Sequence, residues 1–146
     1  MSFFMATTQI APEKTAMEIS RLLGRHGASQ ILISYEDGEA VGPSFLIVRN
    51  GVSVPFRLPI KWEPVLKVME KDKHTAHRLC HKDQAIKTSW RLVFRWVQAQ
   101  LALVEAGAVD LEEVFFPYAQ NRKGKTIYEI YSANQFKQLE APKEDK

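Results

Sequence analysis

Hydrophobic residues recur along the chain at two spacings, and each spacing predicts its own kind of element. After Pro12, apolar residues follow the three-and-four spacing of one helix face until two glycines end the pattern. Three segments rich in β-branched and aromatic residues come next, at 31–35, 44–48 and 52–58. The first part of the chain therefore predicts a helix over residues 12–25 followed by three strands.

Two turn signals separate these strands. Asp37-Gly38 lies between the first and second strands, and Asn50-Gly51 lies between the second and third. Both dipeptides favour the tight turns of antiparallel hairpins. Pro55 lacks a backbone N–H, so it places the third strand at a sheet edge. The three strands are therefore expected to form an antiparallel meander.

The second part of the chain is mainly helical in its pattern. A short helix is predicted over residues 61–70, and a long helix over residues 84–106, where neither glycine nor proline occurs. A short helix beginning at Leu111 follows, and residues 126–131 are interpreted as a strand. The predicted fold class is α+β: a helix, the three-stranded antiparallel meander, a long helix packed on the sheet, and a short C-terminal helix.

The chain of 146 residues has the length and the 45% hydrophobic content of one globular domain. We expect this domain to span residues 11–136, with a flexible N-terminus at 1–10 and a disordered tail at 137–146. The first residues do not resemble a signal peptide, and no apolar run is long enough to cross a membrane. Cys80 is the single cysteine, which excludes an internal disulfide and favours a cytoplasmic location.

Positive charge is concentrated in the middle third of the chain. The net charge is +3 overall, but residues 61–95 hold nine Lys/Arg and four Asp/Glu, whereas residues 96–146 carry a net negative charge. Within the long helix, Lys87, Arg91 and Arg95 follow each other four residues apart and would share one stripe. Such a stripe can neutralise successive phosphates of a nucleic acid. It can equally be the solvent face of the helix.

Aromatic side chains near these basic residues are candidates for stacking on unpaired bases. Tyr35, Trp62 and Tyr118 are the three candidates, although most aromatic residues are expected in the core. The residues predicted to contact nucleic acid are Tyr35, Arg57, Trp62, Lys71, Lys73, Arg78, Lys82, Lys87, Arg91 and Arg95.

Two groups of potential metal ligands occur, and neither has a standard spacing. His74, His77, Cys80 and His81 lie among lysines and arginines that would oppose a dication. A run of carboxylates at residues 36–39 coincides with a predicted hairpin tip, where such residues usually form turns. Phosphate-binding loops, dinucleotide-binding loops and zinc deaminase motifs are absent from the sequence. We therefore expect no metal and no cofactor.

The predicted order of helix, three-stranded meander and helix is similar to two nucleic-acid-binding folds. These are the double-stranded-RNA-binding domain and the single-strand annealing recombinase domain. The similarity is one of topology, without a diagnostic residue motif.

A second resemblance is at the level of sequence. The segments that carry it are His26-Gly27-Ala28, Tyr35-Glu36-Asp37-Gly38, Pro55-Phe56-Arg57-Leu58-Pro59, Trp90-Arg91 with 96–102, and Glu113-Val114-Phe115-Phe116-Pro117-Tyr118. Together they resemble a family of small tailed-bacteriophage proteins over roughly residues 7–130. The resemblance implies a phage origin and no particular activity, and the connector at 71–83 is longer and more basic than the family pattern.

The sequence thus predicts a non-enzymatic phage protein that binds or anneals single-stranded DNA through a basic helix stripe and stacking aromatics. The alternative is a protein-interaction module that inhibits or recruits a host enzyme through the acidic hairpin tip and the apolar C-terminal region. A metal-dependent enzyme is a third, less favoured possibility. The expected partner is single-stranded nucleic acid, with no membrane association and a possible homo-oligomer.

Overall fold

The computed structural model describes residues 2–143, and for residues 39–41 it describes the backbone alone. The helices and strands are α1 (Pro12–Arg25), β1 (Gln30–Glu36), β2 (Glu39–Arg49), β3 (Val52–Arg57), α2 (Trp62–Lys71), α3 (Lys82–Glu105), α4 (Leu111–Val114) and α5 (Ile127–Ala133). Short 3₁₀ turns occupy His77–Leu79, Phe116–Tyr118 and Lys137–Leu139. This order confirms the predicted α+β class.

The three strands pair in the order β1-β2-β3, antiparallel throughout. Asp37 and Gly38 both adopt positive φ, at 50° and 80°, and Asn50 and Gly51 do so at 52° and 77°. Two successive residues with positive φ define the turn whose twist matches a hairpin. The meander is therefore confirmed, and local turn chemistry accounts for its two connections.

One face of the sheet carries the core. Phe45 on β2 stacks on Phe56 of β3, with ring centroids 5.1 Å apart. Ile19 of α1 and Trp90 and Val97 of α3 are fully buried in the same cluster. The long helix therefore packs on the apolar face of the sheet, as expected, and α1 shares that face.

The opposite face of the sheet, here called the outer face, follows from strand alternation. Leu32 and Val48 on this face are 64% and 44% exposed. The residues that point to it are Gln30, Leu32 and Ser34 of β1, Ser44, Leu46 and Val48 of β2, and Ser53, Pro55 and Arg57 of β3. The sheet thus has one buried face and one face in contact with solvent.

The prediction of a strand at residues 126–131 is wrong, because this segment begins α5. The Thr126 hydroxyl accepts a hydrogen bond from the Glu129 N–H at 3.1 Å, and the Glu129 carboxylate accepts one from the Thr126 N–H at 3.3 Å. This reciprocal capping box starts a helix at Ile127. Within residues 126–131, Thr126 alone forms a β-bridge, an isolated antiparallel one to Gln120.

The N-terminal segment packs against α3. Ala6 is 1% exposed, and the Gln84 side-chain amide donates to the carbonyls of Ala6 and Thr8, each at 2.8 Å. The Thr88 hydroxyl also donates to the Met5 carbonyl at 3.2 Å. Residues Met5, Ala6 and Thr8 therefore contact α3, and the expected flexibility of residues 1–10 stays a prediction. At the other end, the predicted disordered tail includes a 3₁₀ turn at Lys137–Leu139, and residues 144–146 lie outside the described residues.

Candidate nucleic-acid interface

The predicted stripe on α3 is interrupted at its centre. The Arg91 side chain is only 6% exposed. Lys87 is half-buried, and Arg95 is exposed, with its Nη1 donating to Gln98 Oε1 at 3.0 Å. The prediction that Arg91 lies on an exposed basic stripe is therefore wrong.

Arg91 is instead part of the interface between α1 and α3. Its Nη1 lies 3.1 Å from Glu18 Oε2 and 3.3 Å from Thr15 Oγ1, and its guanidinium lies 4.2 Å from the centroid of the Phe94 ring. Burial of a charge requires a partner charge and hydrogen bonds, and Glu18 and Thr15 supply both. Arg91 is thus bound within the protein and unavailable to a ligand.

The exposed positive charge lies on the segment that joins α2 to α3. We define the connector surface as the four cations Lys71, Lys73, Arg78 and Lys82, all of which are exposed. Among the described residues, no carboxylate lies within 4 Å of Lys71, Lys73 or Arg78. The structure therefore leaves these three charges available, in contrast to Arg91.

Asp72 gives the connector a fixed backbone. Its carboxylate accepts hydrogen bonds from the Phe3 N–H at 2.7 Å, from the His74 N–H at 3.1 Å and from the Thr75 hydroxyl. These bonds, chiefly the one from Thr75, lower the pKa of Asp72. The carboxylate of Asp72 is consequently committed to local structure.

A cleft of about 450 Å³ brings two of the predicted residues together. Arg57 comes from the end of β3 and Trp62 from the start of α2, and both line this cleft. Its other lining residues are Ser34, Glu36, Gly42, Ser44, Ile60, Glu63, Ile86 and Ser89. We call it the Arg57–Trp62 cleft.

The cleft and the connector surface meet at one contact. The Lys82 ammonium lies 5.0 Å from the centroid of the Trp62 ring, within the range of a cation–π interaction. Trp62 is half-buried and packs against both hydrophobic clusters, which fixes the plane of its indole. An aromatic ring and a row of exposed cations are therefore joined at this contact.

Arg57 is held at the cleft by an ion pair. Its Nη2 lies 2.7 Å from Glu129 Oε1, and both side chains are roughly half exposed, at 49% and 40%. The hydrogen bonds from Thr126, backbone first, lower the pKa of Glu129, and the charge of Arg57 adds to this effect. The guanidinium is positioned by α5 while remaining accessible to solvent.

Sequence reasoning missed the polar groups that surround these two residues. Ser44 pairs with Arg57 across β2 and β3, and Ser34 pairs with Gly42 across β1 and β2. Counting outward from the Asn50-Gly51 turn would have found the first pair, whereas a register shift between Ser34 and Tyr35 displaces the second pair by one residue. Tyr35, also predicted, is 58% exposed on β1 and is not among the residues lining the cleft.

His81 and Cys80 of the connector make local hydrogen bonds. His81 Nδ1 accepts a hydrogen bond from the Gln84 N–H at 3.3 Å and so caps α3, and the Cys80 thiol lies 3.5 Å from the Met69 carbonyl. Within residues 2–143, no three His, Cys, Asp or Glu side chains are grouped as metal ligands. In that same range, no helix is long and apolar enough to span a membrane.

Comparison with known proteins adds no further assignment. No protein-family model matches this chain, and no curated protein and no solved structure matches it.

Proposed function

We propose that this protein binds single-stranded nucleic acid at the connector surface and the Arg57–Trp62 cleft. The observation that carries the proposal is the contact between Lys82 and Trp62, because it joins a row of exposed cations to a half-buried indole that lines the cleft. Phosphates need cations, and unpaired bases need flat apolar rings. Following the phage resemblance, we propose single-stranded DNA as the ligand and DNA binding or annealing in a phage context as the role.

The connector surface supports the phosphate half of the proposal. Lys71, Lys73 and Arg78 have no carboxylate within 4 Å among the described residues, so their charges are not compensated locally. A phosphate backbone that binds there releases counterions, and the affinity then falls as salt is raised.

The cleft supports the base half of the proposal. The Trp62 indole offers a stacking surface, and the hydroxyls of Ser34 and Ser44 with the carboxylates of Glu36 and Glu63 offer hydrogen-bonding groups. Carboxylates repel phosphates but accept hydrogen bonds from the exocyclic amino groups of bases. Because the connector carries cations and the cleft carries carboxylates, phosphates are favoured on the connector and a base is favoured in the cleft.

The test is fluorescence anisotropy of a labelled oligothymidylate of about 12 nucleotides, a length within the usual site sizes for single strands. The connector variant Lys71→Gln/Lys73→Gln/Arg78→Gln should bind far more weakly than wild type. Each phosphate contact carries a log–log salt slope of about 0.7, which is about fivefold in affinity at about 0.1 M salt. The variant should lose up to about 2 from the slope if all three contacts exist.

A matched control removes three exposed cations from α1, in the variant Lys14→Gln/Arg21→Gln/Arg25→Gln. The two variants have the same net charge, so only the position of the lost charges differs. The control should bind nearly as well as wild type. Equal weakening by both variants would show non-specific attraction and would contradict the proposed site.

Trp62→Leu tests the stacking half, because leucine keeps an apolar side chain at this packed position. Loss of one stacked base should weaken binding by about 1–3 kcal/mol while leaving the salt slope unchanged. The unfolding midpoint of this variant, measured in parallel, separates lost stacking from lost fold. Wild-type protein that binds no oligonucleotide at low salt would refute the proposed function.

The alternative of a protein-interaction module also has a specific observation in its favour. Four large apolar side chains of the C-terminal region are exposed: Phe116, Tyr128, Phe136 and Leu139, at 54%, 58%, 43% and 66%. Such residues mark interaction surfaces when they form a patch. The anisotropy assay distinguishes the two functions, since this surface contains none of the connector cations.

A further inference from the structure

A second groove lies on the outer face of the sheet and continues the Arg57–Trp62 cleft. Its volume is about 390 Å³, and Ser44 of β2 lines both cavities. Its floor and walls are Gln30, Ile31, Leu32, Ser44, Phe45, Leu46, Pro55 and Gln120. We call it the outer-face groove. A molecule leaving the cleft past Ser44 therefore enters this groove directly.

The far side of the groove is bordered by a basic turn. Gln120 lines the groove, its N–H donates to the Pro55 carbonyl at 2.8 Å, and its side-chain amide donates to the Gly124 carbonyl at 3.0 Å. Asn121 closes the turn, because its side-chain oxygen accepts from the N–H groups of Lys123 and Lys125 at 2.9 and 3.0 Å. The turn is thus attached to β3 at the edge of the groove.

The turn presents positive charge at the surface, and the charge of Lys125 adds to the hydrogen bonds from Thr126 that lower the pKa of Glu129. Arg122, Lys123 and Lys125 are all exposed, and within the described residues no carboxylate lies within 4 Å of their charged groups. The groove between the turn and the cleft has neutral lining residues, including exposed Leu32 and half-buried Leu46 and Pro55. Cations therefore lie at both ends of an uncharged groove.

From this arrangement we propose that the outer-face groove and the basic turn form a second subsite for the same single strand. The inference rests on the proposed function. The strand runs from the connector through the cleft, across the outer face, to the turn. Apolar and amide groups of the groove contact bases and sugars, and Arg122 and Lys123 contact the phosphates at the far end.

The dimensions of β2 set the expected length of this path. From Gly42 in the cleft to Leu46 in the groove the strand rises by about 13 Å at about 3.3 Å per residue. Nucleotides stacked at about 3.4 Å along a strand would cover that distance with about four units. Contact with the turn therefore requires a ligand longer than the one that fills the cleft.

The experiment compares oligothymidylates of about 4 and about 12 nucleotides, both within the range known for single-strand sites. Arg122→Gln/Lys123→Gln should weaken binding of the long ligand by up to about 25-fold at about 0.1 M salt and reduce its slope by about 1.4. The same variant should bind the short ligand as wild type does. Arg21→Gln/Arg25→Gln, which removes two exposed cations from α1, should leave both affinities nearly unchanged.

Leu32→Gln probes the groove itself at an exposed position, where the fold does not depend on the leucine. It should weaken binding of the long ligand without a change in the salt slope. If the long ligand depends on Trp62 and the connector but not on the turn or Leu32, the second subsite is wrong while the proposed function stands. If wild type binds neither length, both are wrong. A turn variant that weakens both lengths equally would also overturn the subsite.

Discussion

The middle of α3 and the connector carry similar positive charge in the sequence but very different charge at the surface. Arg91 lies between two helices, where Glu18 and Thr15 bind its guanidinium and Phe94 covers it. Lys73 and Arg78 lie on the connector and remain exposed. The comparison shows that a basic side chain can be buried where a neighbouring helix or strand places a carboxylate within hydrogen-bonding distance of it. Spacing along one helix does not reveal that neighbour.

The largest difference between the two regions should appear in stability. Arg91→Ala removes a buried side chain and both of its hydrogen bonds, and it leaves Glu18 without its partner. We expect a loss of about 2–4 kcal/mol in the free energy of unfolding, because the carboxylate that remains is partly in contact with water. Lys73→Ala should change it by less than about 0.5 kcal/mol, as exposed substitutions usually do. Chemical denaturation measures both.

Arg91→Lys sharpens the same comparison. Lysine keeps the charge but lacks the planar fork that contacts Glu18 while lying on the Phe94 ring. We expect Arg91→Lys to lower the free energy of unfolding, but by less than Arg91→Ala does. A lysine variant as stable as wild type would show that charge alone suffices and that the stacked geometry of Arg91 contributes nothing.

A smaller effect is expected from the acid that orders the connector. Because its hydrogen bonds hold the pKa of Asp72 below its ordinary value, this carboxylate contributes stability above the ordinary pKa of an aspartate. That contribution is lost as the pH falls through the lowered pKa of the folded state, below about 4. Asp72→Asn should therefore lower the unfolding midpoint at neutral pH and show a shallower decline in acid than wild type. An identical acid profile would exclude this role for Asp72.

The smallest effect, here on the affinity for single-stranded DNA, is expected from Lys87 and Arg95, the two residues of the predicted α3 stripe that are not fully buried. Lys87→Gln/Arg95→Gln removes two charges from the region where Arg91 is buried. We expect its affinity for the long oligothymidylate to stay close to that of wild type. The connector variant Lys71→Gln/Lys73→Gln/Arg78→Gln, measured with the same oligonucleotide, shows how large the loss of affinity is when a binding surface is removed. Strong weakening by the α3 variant would restore α3 as the binding surface and would contradict the assignment of the connector.

The fold was largely predictable because its signals are local. Asp37-Gly38 and Asn50-Gly51 each specify a hairpin turn. The uninterrupted apolar pattern of α3 predicts a helix over residues 84–106, and the observed helix starts two residues earlier and ends one residue earlier. The wrong strand at residues 126–131 also had a local signal. Thr126 and Glu129 stand at the spacing of a capping box, which indicates a helix despite the β-branched and aromatic residues that follow.

The site was less predictable because it depends on contacts between distant segments. The pairing of Arg91 with Glu18 links residues 73 positions apart, and that of Arg57 with Glu129 links residues 72 positions apart. The packing of the N-terminal segment depends in the same way on Gln84, which lies 78 positions from Ala6. Hydrophobic periodicity identifies the face of a helix that is buried. It does not identify which polar residue of another element meets that face.

The double use of Glu129 has a thermodynamic consequence. One carboxylate oxygen accepts hydrogen bonds from Thr126 at the start of α5 and also from the Arg57 guanidinium at the cleft. An anion that draws Arg57 away leaves Glu129 to the helix cap alone, and protonation of Glu129 weakens the cap and releases Arg57 together. Occupancy of the cleft and the folding equilibrium of α5 are therefore linked functions, and linkage is reciprocal. The factor by which an anion in the cleft changes the folding equilibrium of α5 is therefore the factor by which folding of α5 changes the affinity of the cleft for that anion.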